Sequence, residues 1–265
     1  MQIFRNILMA DVVGSGTHPS TDVQKALANL VTHLNQHQAG LILSPLTVTL
    51  GDEFQGVTHR LSHSLSLILS AEEFLRRHSP EIVLRYVLYE GVIETSINRR
   101  TSYGMLGPGL TAARDMLTSG GSRRPKFQLH LQEANVFLPD LLTLLATLLD
   151  GWSAKDASII QTLLDEPDDS LAAEKLHRDR TAVYRRRHTL RITDYRCLIR
   201  LLKNATTRPW TGPELRQLRQ DLEITQKDLG QILNLSPTRL SNLERSPDPL
   251  PAELSSILEK GLTKP

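Results

Sequence analysis

Three carboxylates are the residues best suited to chemistry. Asp11 closes the apolar run Ile7-Leu8-Met9-Ala10, and Asp52 and Glu53 stand side by side in Leu46-Thr47-Val48-Thr49-Leu50-Gly51-Asp52-Glu53-Phe54-Gln55-Gly56-Val57. Burying an unpaired Asp on an apolar strand is costly, so Asp11 calls for a partner. Adjacent acids at a turn repel one another unless solvent or a cation neutralises them. If the two stretches lie side by side, Asp11 and Asp52 converge. With Glu53 and phosphate oxygens they would supply the near-octahedral oxygen set that Mg²⁺ requires. Such ions position a nucleoside triphosphate and stabilise the charge of phosphoryl transfer. The alternative is a plain solvated turn.

The elements that must position these acids read as follows. Leu46, Val48 and Leu50 alternate with Thr47 and Thr49, the period of a half-buried strand. Gly51 permits the turn, which predicts a hairpin of 41–50 and 54–58 with Asp52 and Glu53 at its tip. Phe4–Val12 is the first strand. The loop 14–19 follows, with Ser15 placed to offer an N–H to a phosphate. Ser20 or Thr21 is expected to cap a helix running to Gln38. A second amphipathic helix is expected over 59–78 and a strand over 82–95. The loop 97–106, with Arg99, Arg100 and Tyr103, either overhangs a phosphate site or is solvated. A helix opening on Pro108 carries Arg114, and its N-terminus suits an anion. A polar linker, 120–126, holds Arg123 and Arg124, and 127–131 is the last strand. The order βαββαβαβ, with the antiparallel hairpin central, predicts a palm-like α/β sandwich. His33 and His37, and His59 and His63, have metal-binding spacing but no third ligand in sequence reach, so they read as solvated or half-buried faces.

Asp11 at a strand end followed by Gly51-Asp52-Glu53-Phe54 resembles class III nucleotidyl cyclases and the related GGDEF diguanylate cyclases. The strand Leu84–Val92, with Arg85 and Gly91, and the helix start Gly107-Pro108-Gly109-Leu110-Thr111-Ala112-Ala113-Arg114 are similar to later motifs of that group. The SatD-like bacterial family is closer still, sharing the Asp-Val-Val-Gly-Ser opening, the Gly-Asp-x-Phe-Gln-Gly hairpin and the Gly-Pro-to-Ala-Arg helix. The resemblance covers roughly 1–132. It implies metal at Asp11, Asp52 and Glu53, a phosphate contact from Arg114 beside the one expected of Ser15, and a catalytic role for Asp11, Asp52 and Arg114 in an active member. Leu110 stands where an active cyclase would orient ribose with Asn, Val48 near a purine-selecting Lys, and Leu50 at the first Gly of GGDEF. A degenerate, nucleotide-sensing domain is therefore expected as readily as an enzyme.

Length of 265 residues suits an ordinary domain plus a smaller one, and 40% hydrophobic with 23% charged residues is a soluble, globular composition. One cysteine, Cys197, excludes an intrachain disulfide and a thiolate zinc cluster and fits a reducing cytoplasm. The opening residues 1–12 read as a strand rather than a basic-then-apolar leader. No apolar run reaches the roughly 18 residues of a membrane span. The net charge of +2 hides a local excess: residues 171–203 hold 10 basic and 3 acidic side chains, the footprint of a polyanion site.

Downstream of the α/β region the pattern is all helical. The leucine-rich stretch 133–150 is either a connector with a dimer contact or plain core. Within 151–204, the run Ser170–Arg187 has a helix-turn-helix pattern resembling sigma-factor-like and resolvase-like proteins. Ala172 or Ala173 permits close packing, Val183 anchors the core, and Arg180, Thr181, Tyr184, Arg185 and Arg187 point toward DNA. A linker ends at Pro209. Thr211 and Glu214 then form a capping signal. Residues 210–262 resemble the lambda-repressor/Cro-like (XRE) domain. That resemblance implies a phosphate contact from Gln226, a recognition helix from Ser236 to Glu244, and base-edge contacts from Thr238, Arg239 and Asn242. The chain thus reads as a DNA-binding regulator whose N-terminal domain senses a nucleotide or Mg²⁺. The alternative is an active nucleotidyl cyclase or nucleotidyltransferase. Proteins with this motif bind paired half-sites, so a homodimer on double-stranded DNA is expected.

Overall fold

A computed structural model describes residues 4–119, 124–133 and 135–262. Most of the expected linker 120–126, including Arg123, lies outside the described residues. The α/β part runs β1 (Phe4–Val12), α1 (Ser20–His37), β2 (Ile42–Val48), β3 (Glu53–Thr58), α2 (Leu61–His78), β4 (Leu84–Val92), α3 (Pro108–Thr118) and β5 (Phe127–His130). The sheet order is β2-β3-β1-β4-β5, so β1 is central. It pairs antiparallel with β3 and β4, while β5 lies parallel to β4 after the α3 crossover. The hairpin is therefore not central: it forms one edge. Pro45 explains this, because it lacks a ladder donor and the β2–β3 register shifts around it.

The two faces of β1 do different work. Leu8, Ala10 and Val12 join Leu84, Tyr86 and Leu88 under α1 and α2 in the main core. Ile7 and Met9 join Val87 under Ala113 and Leu117 of α3. Contact between α3 and the sheet is backbone on backbone: a Cβ on Gly91 would meet the Gly109 Cα at 2.7 Å. Only glycine at both positions allows this approach. The β2–β3 half of that face is closed by Met105 of the loop before α3, against Leu43 and Val57. Two expectations are corrected here. The N-cap of α1 is Pro19 without a side-chain bond, so neither Ser20 nor Thr21 caps it. Glu53 is the first residue of β3, buried, and leaves only Asp52 in the turn.

The helical part follows as α4 (Leu138–Asp150), α5 (Ala157–Asp165), α6 (Asp169–Leu176), α7 (Arg180–Thr189), α8 (Ile192–Thr206), α9 (Gly212–Asp221), α10 (Gln226–Leu233), α11 (Pro237–Arg245) and α12 (Ala252–Leu262). The leucine-rich helix α4 serves as core: Leu138, Leu142, Leu145 and Leu148 share a cluster with Tyr195 and Leu198 of α8. Leu144, 55% exposed, is left outside. A smaller cluster holds α5, α6 and α7 together through Ile160, Leu163, Ala172 and Val183. A third gathers α9 to α12 around Trp210, Leu215, Leu229 and Leu240.

The last unit docks on the sheet through charge. Arg5, near the start of β1, grips Asp221 at the end of α9 with two bonds of 2.6 and 2.9 Å. Glu259 of α12 accepts from Arg60 at 3.0 Å, His63 at 3.1 Å and the Trp210 indole at 2.9 Å. The Arg60 guanidinium also stacks 4.4 Å from the Trp210 ring centre. Burial alone would raise the Glu259 pKa, but the bonds and charges of His63, Arg60 and Trp210 outweigh it and pull it to about 2. A carboxylate with a depressed folded-state pKa stabilises above its unfolded value of 4.5, and that stability is lost as the pH falls toward 2. Acid titration of the full chain carrying Trp152→Phe should thus loosen this unit below pH 4.5, read as a red shift of the emission of Trp210, the one tryptophan left. Glu259→Gln should cost about 1 kcal/mol at neutral pH, since the carboxylate is partly screened by solvent, and should flatten the acid limb. An unchanged acid limb in the variant would show that Glu259 does not hold the unit.

Candidate ligand site and nucleic-acid interface

β-sheet register sets Glu53 of β3 and Arg85 of β4 directly opposite Asp11, so all three side chains leave the face that α3 covers. The Arg85 guanidinium holds both Asp11 oxygens, Nη2 to Oδ2 at 2.8 Å and Nε to Oδ1 at 3.2 Å. Arg124 adds a longer contact to Oδ2 at 3.5 Å. The Glu53 carboxylate accepts from the Thr49 hydroxyl at 2.5 Å and pairs with Arg114 of α3 at 3.1 Å. Arg114 also donates to the Gln55 side-chain oxygen at 3.0 Å, and the Gln55 amide donates to the Ser102 carbonyl. Gln55 thereby joins the loop before α3 to the arginine on α3.

The carboxylate that register brings to Asp11 is Glu53. Asp52 adjoins β1 by its backbone, where its carbonyl accepts from Val12 N–H at 2.9 Å. Its side chain takes the Ser15 hydroxyl at 2.7 Å, tying the Gly14 loop to the hairpin turn. Among the described residues no three His, Cys, Asp or Glu side chains converge on a metal position. As arranged, Asp11 spends its oxygens on arginines, so a divalent ion on protein donors alone does not fit. The cluster is a row of paired charges near the end of β1, with Arg114 its partly exposed member at 37%.

Arg85, Gln55 and Thr49 received no role from sequence. The signal for Arg85 was present: a lone cation on the buried strand Leu84–Val92 needs an acid, and Asp11 was the strand acid without a partner. The loop residues Arg99, Arg100 and Tyr103 are exposed. The histidine pairs form ring contacts, His33 stacked on His37 at 4.2 Å and His59 edge-on to His63 at 6.0 Å.

In the last unit, α11 presents its outer face to solvent. Ser236, Thr238, Arg239 and Asn242 are all exposed, while Leu240 is buried. The Thr225 and Ser236 side chains cap α10 and α11, and Thr211 with Glu214 makes the expected capping box. A buried acid fixes the angle between these helices. Glu244 of α11 accepts from Arg219 of α9 at 2.6 and 3.1 Å and from the Gln226 amide of α10 at 2.8 Å. Burial would raise the Glu244 pKa, yet the bonds from Arg219 and Gln226 keep it below the ordinary carboxylate value. Gln226, expected on a phosphate, thus turns its amide toward α11.

On α7, Arg180, Thr181, Tyr184 and Arg185 are exposed. Arg187 is a correction: it does not face DNA but donates to Asp169 at 2.7 Å and to the Leu163 and Glu166 carbonyls at 2.8 Å each. It closes the C-terminal end of α5, whose carbonyls would otherwise lack donors.

The ion pair at the β1 end is open to a double-mutant cycle. Arg85→Ala, which strands the Asp11 carboxylate, should cost about 2 kcal/mol in denaturant unfolding, with Arg124 left as a weaker partner. Asp11→Ala with Arg85→Ala should cost less than the two single losses added together. Strict additivity would mean the pair contributes nothing.

Comparison with known families adds two matches. A helix-turn-helix model matches residues 215–263, which supports a DNA-binding regulator. A search of curated proteins finds no match. The model of the SatD family matches residues 7–183, continuing past the 1–132 span of the sequence resemblance through α4, α5 and α6 into α7. With nearly the whole sheet, its charge cluster and the first helices behind it inside one match over more than half of the sequence, the chain belongs to the SatD family.

Proposed function

We propose that this protein is a transcriptional regulator that binds double-stranded DNA through α10 and α11 and senses a phosphate-bearing nucleotide on its α/β domain. The observation that carries the reading is the α11 surface. Its Thr238, Arg239 and Asn242 are solvent-facing inside a helix-turn-helix match, and Arg219, Gln226 and Glu244 fix the helix behind them. Side chains held this way meet the major groove at low ordering cost.

For the α/β domain, support comes from the order βαββαβαβ and the motif Gly51-Asp52-Glu53-Phe54, a nucleotidyl cyclase-like, palm-like plan. Arg114 sits at the rim of the cluster and shares its charge between Glu53 and Gln55. A nucleotide phosphate offers that guanidinium a stronger, bidentate partner. Ser15 stands on the adjoining loop. Mg²⁺ belongs to this reading only as a companion of the ligand phosphates, with Asp11 and Asp52 the acids beside it, and Asp11 would first leave Arg85. That requirement, with Leu110 and Val48 at the positions expected to orient ribose and select purine, favours sensing over turnover. DNA binding on paired half-sites implies two copies of the chain on one operator.

Two measurements test the reading. Salt-dependent fluorescence anisotropy on a selected operator should show Arg239→Ala and Asn242→Ala losing about 1–3 kcal/mol each and relaxing sequence preference. Wild-type binding insensitive to salt would contradict a DNA role. Calorimetry with nucleoside triphosphates and cyclic nucleotides, with and without Mg²⁺, should detect one binder, weakened about tenfold or more by Arg114→Ala. Pyrophosphate release that depends on Asp52 would replace sensing with catalysis, and no heat with any nucleotide would remove the sensor.

A further inference from the structure

The turn between α6 and α7 repeats the turn between α10 and α11. Helices α6 and α10 are each 8 residues long. Each ends on a non-glycine residue in the left-handed region, His177 at φ 50°, ψ 47° and Asn234 at φ 54°, ψ 46°. The next residue closes the helix by the same backbone bond five positions back, Arg178 N–H to Ala173 O at 3.0 Å and Leu235 N–H to Gly230 O at 2.7 Å. One residue later comes an extended N-cap, Asp179 at φ −66°, ψ 140° and Ser236 at φ −67°, ψ 150°. Four residues on, each second helix buries one aliphatic anchor, Val183 at 1% and Leu240 at 0% exposure. His177 occupies a left-handed position that glycine usually takes, and the turn still forms.

With the turns aligned, the exposed positions align as well. Thr181 and Arg185 of α7 take the places of Thr238 and Asn242 of α11, the positions already assigned to base edges. Tyr184 lies between them on the same face, and Arg180 opens the helix. The arginines of this segment divide by direction. Arg186 and Arg187 turn inward, to Asp156 and to Asp169. Arg178, Arg180 and Arg185 are exposed, and Arg180 and Arg185 act only through space on the capping acids Asp168 and Asp179. Behind them, α5 supplies Ile160 and Leu163 as the supporting first helix. This is a three-helix unit with a cationic third helix, α7, facing solvent, and duplex DNA is the occupant whose charge and groove shape complement it.

We infer that α6 and α7 form a second helix-turn-helix and that the α7 face carrying Arg180, Thr181, Tyr184 and Arg185 binds duplex DNA. The inference does not rest on the α/β site; it rests on the proposed α11 reading for which face of the second helix meets DNA, and the two arms of the test tell the two apart. One chain would then hold DNA at two places, and affinity would gain from their linkage.

The test uses the full chain, a duplex of about 40 base pairs that carries the selected operator and is long enough for two contacts at about 3.4 Å per step, and anisotropy across a salt series. Arg180→Gln with Arg185→Gln should lower the salt slope by about 2 and weaken binding on the order of tenfold. Arg180→Lys with Arg185→Lys should restore the slope, which separates lost charge from lost folding. Thr238→Ala with Arg239→Ala and Asn242→Ala forms the parallel arm. If the α7 glutamines bind as wild type while the α11 arm loses binding, the inference is overturned and the α11 reading stands. Loss in the α7 arm alone keeps the inference and removes α11. Unchanged binding in both arms overturns both.

Discussion

A charge on the central strand of a sheet must find a partner, and β1 carries one near each end. Between them Ile7, Leu8, Met9 and Ala10 are buried on both faces. Neither charge can escape to water without dragging the strand out of register. Near the end of β1, Asp11 recruits Arg85 from β4 and Arg124 from the segment before β5, which binds the parallel extension of the sheet to its middle. Near its start, Arg5 recruits Asp221 from α9. The same requirement that builds the candidate ligand site thus also fastens the helix-turn-helix unit to the α/β domain.

Acids with arginine partners recur as the fixing device of the helical part. Glu244 sets α11 against α9 and α10, Asp169 receives Arg187, and Glu259 gathers Arg60, His63 and Trp210. Breaking such a pair from one side costs more than the pair contributes, since a buried charge is left without a counterpart. In a surface that meets a polyanion, this sorting also matters for function. Arginines used inside, such as Arg187 and Arg219, set geometry, and those left outside, such as Arg185 and Arg239, are the ones the proposed DNA contacts would use.

Sequence periodicity located β1, the hairpin, α1, α2 and α3 because apolar spacing is set by burial on one face, which is local information. It placed the hairpin in the centre wrongly, because strand order depends on non-local pairing. Pro45 was the overlooked cue that β2 lies at an edge. It set Glu53 beside Asp52 at a tip, whereas one residue of extra strand turns Glu53 inward to Arg114 and leaves Asp52 to Ser15. Of the charge cluster, Asp11, Asp52, Glu53 and Arg114 were legible as motif residues. The pairing of Asp11 with Arg85 was not, because the two are adjacent only through sheet register. Arg187 shows the same limit on a helix: its spacing placed it outward, and the open carbonyls at the end of α5 drew it in.

The central proposal is that α11 reads DNA while its unit stays docked on the sheet. A photo-crosslinking amino acid placed at Arg239, with a control placed at Ile257 on α12, gives the most direct test in the full chain. Efficient attachment of operator DNA is expected from position 239, in competition with unlabelled operator, and none from position 257. Equal attachment from both positions, or none from 239 under conditions where the protein retains DNA, would contradict the proposal.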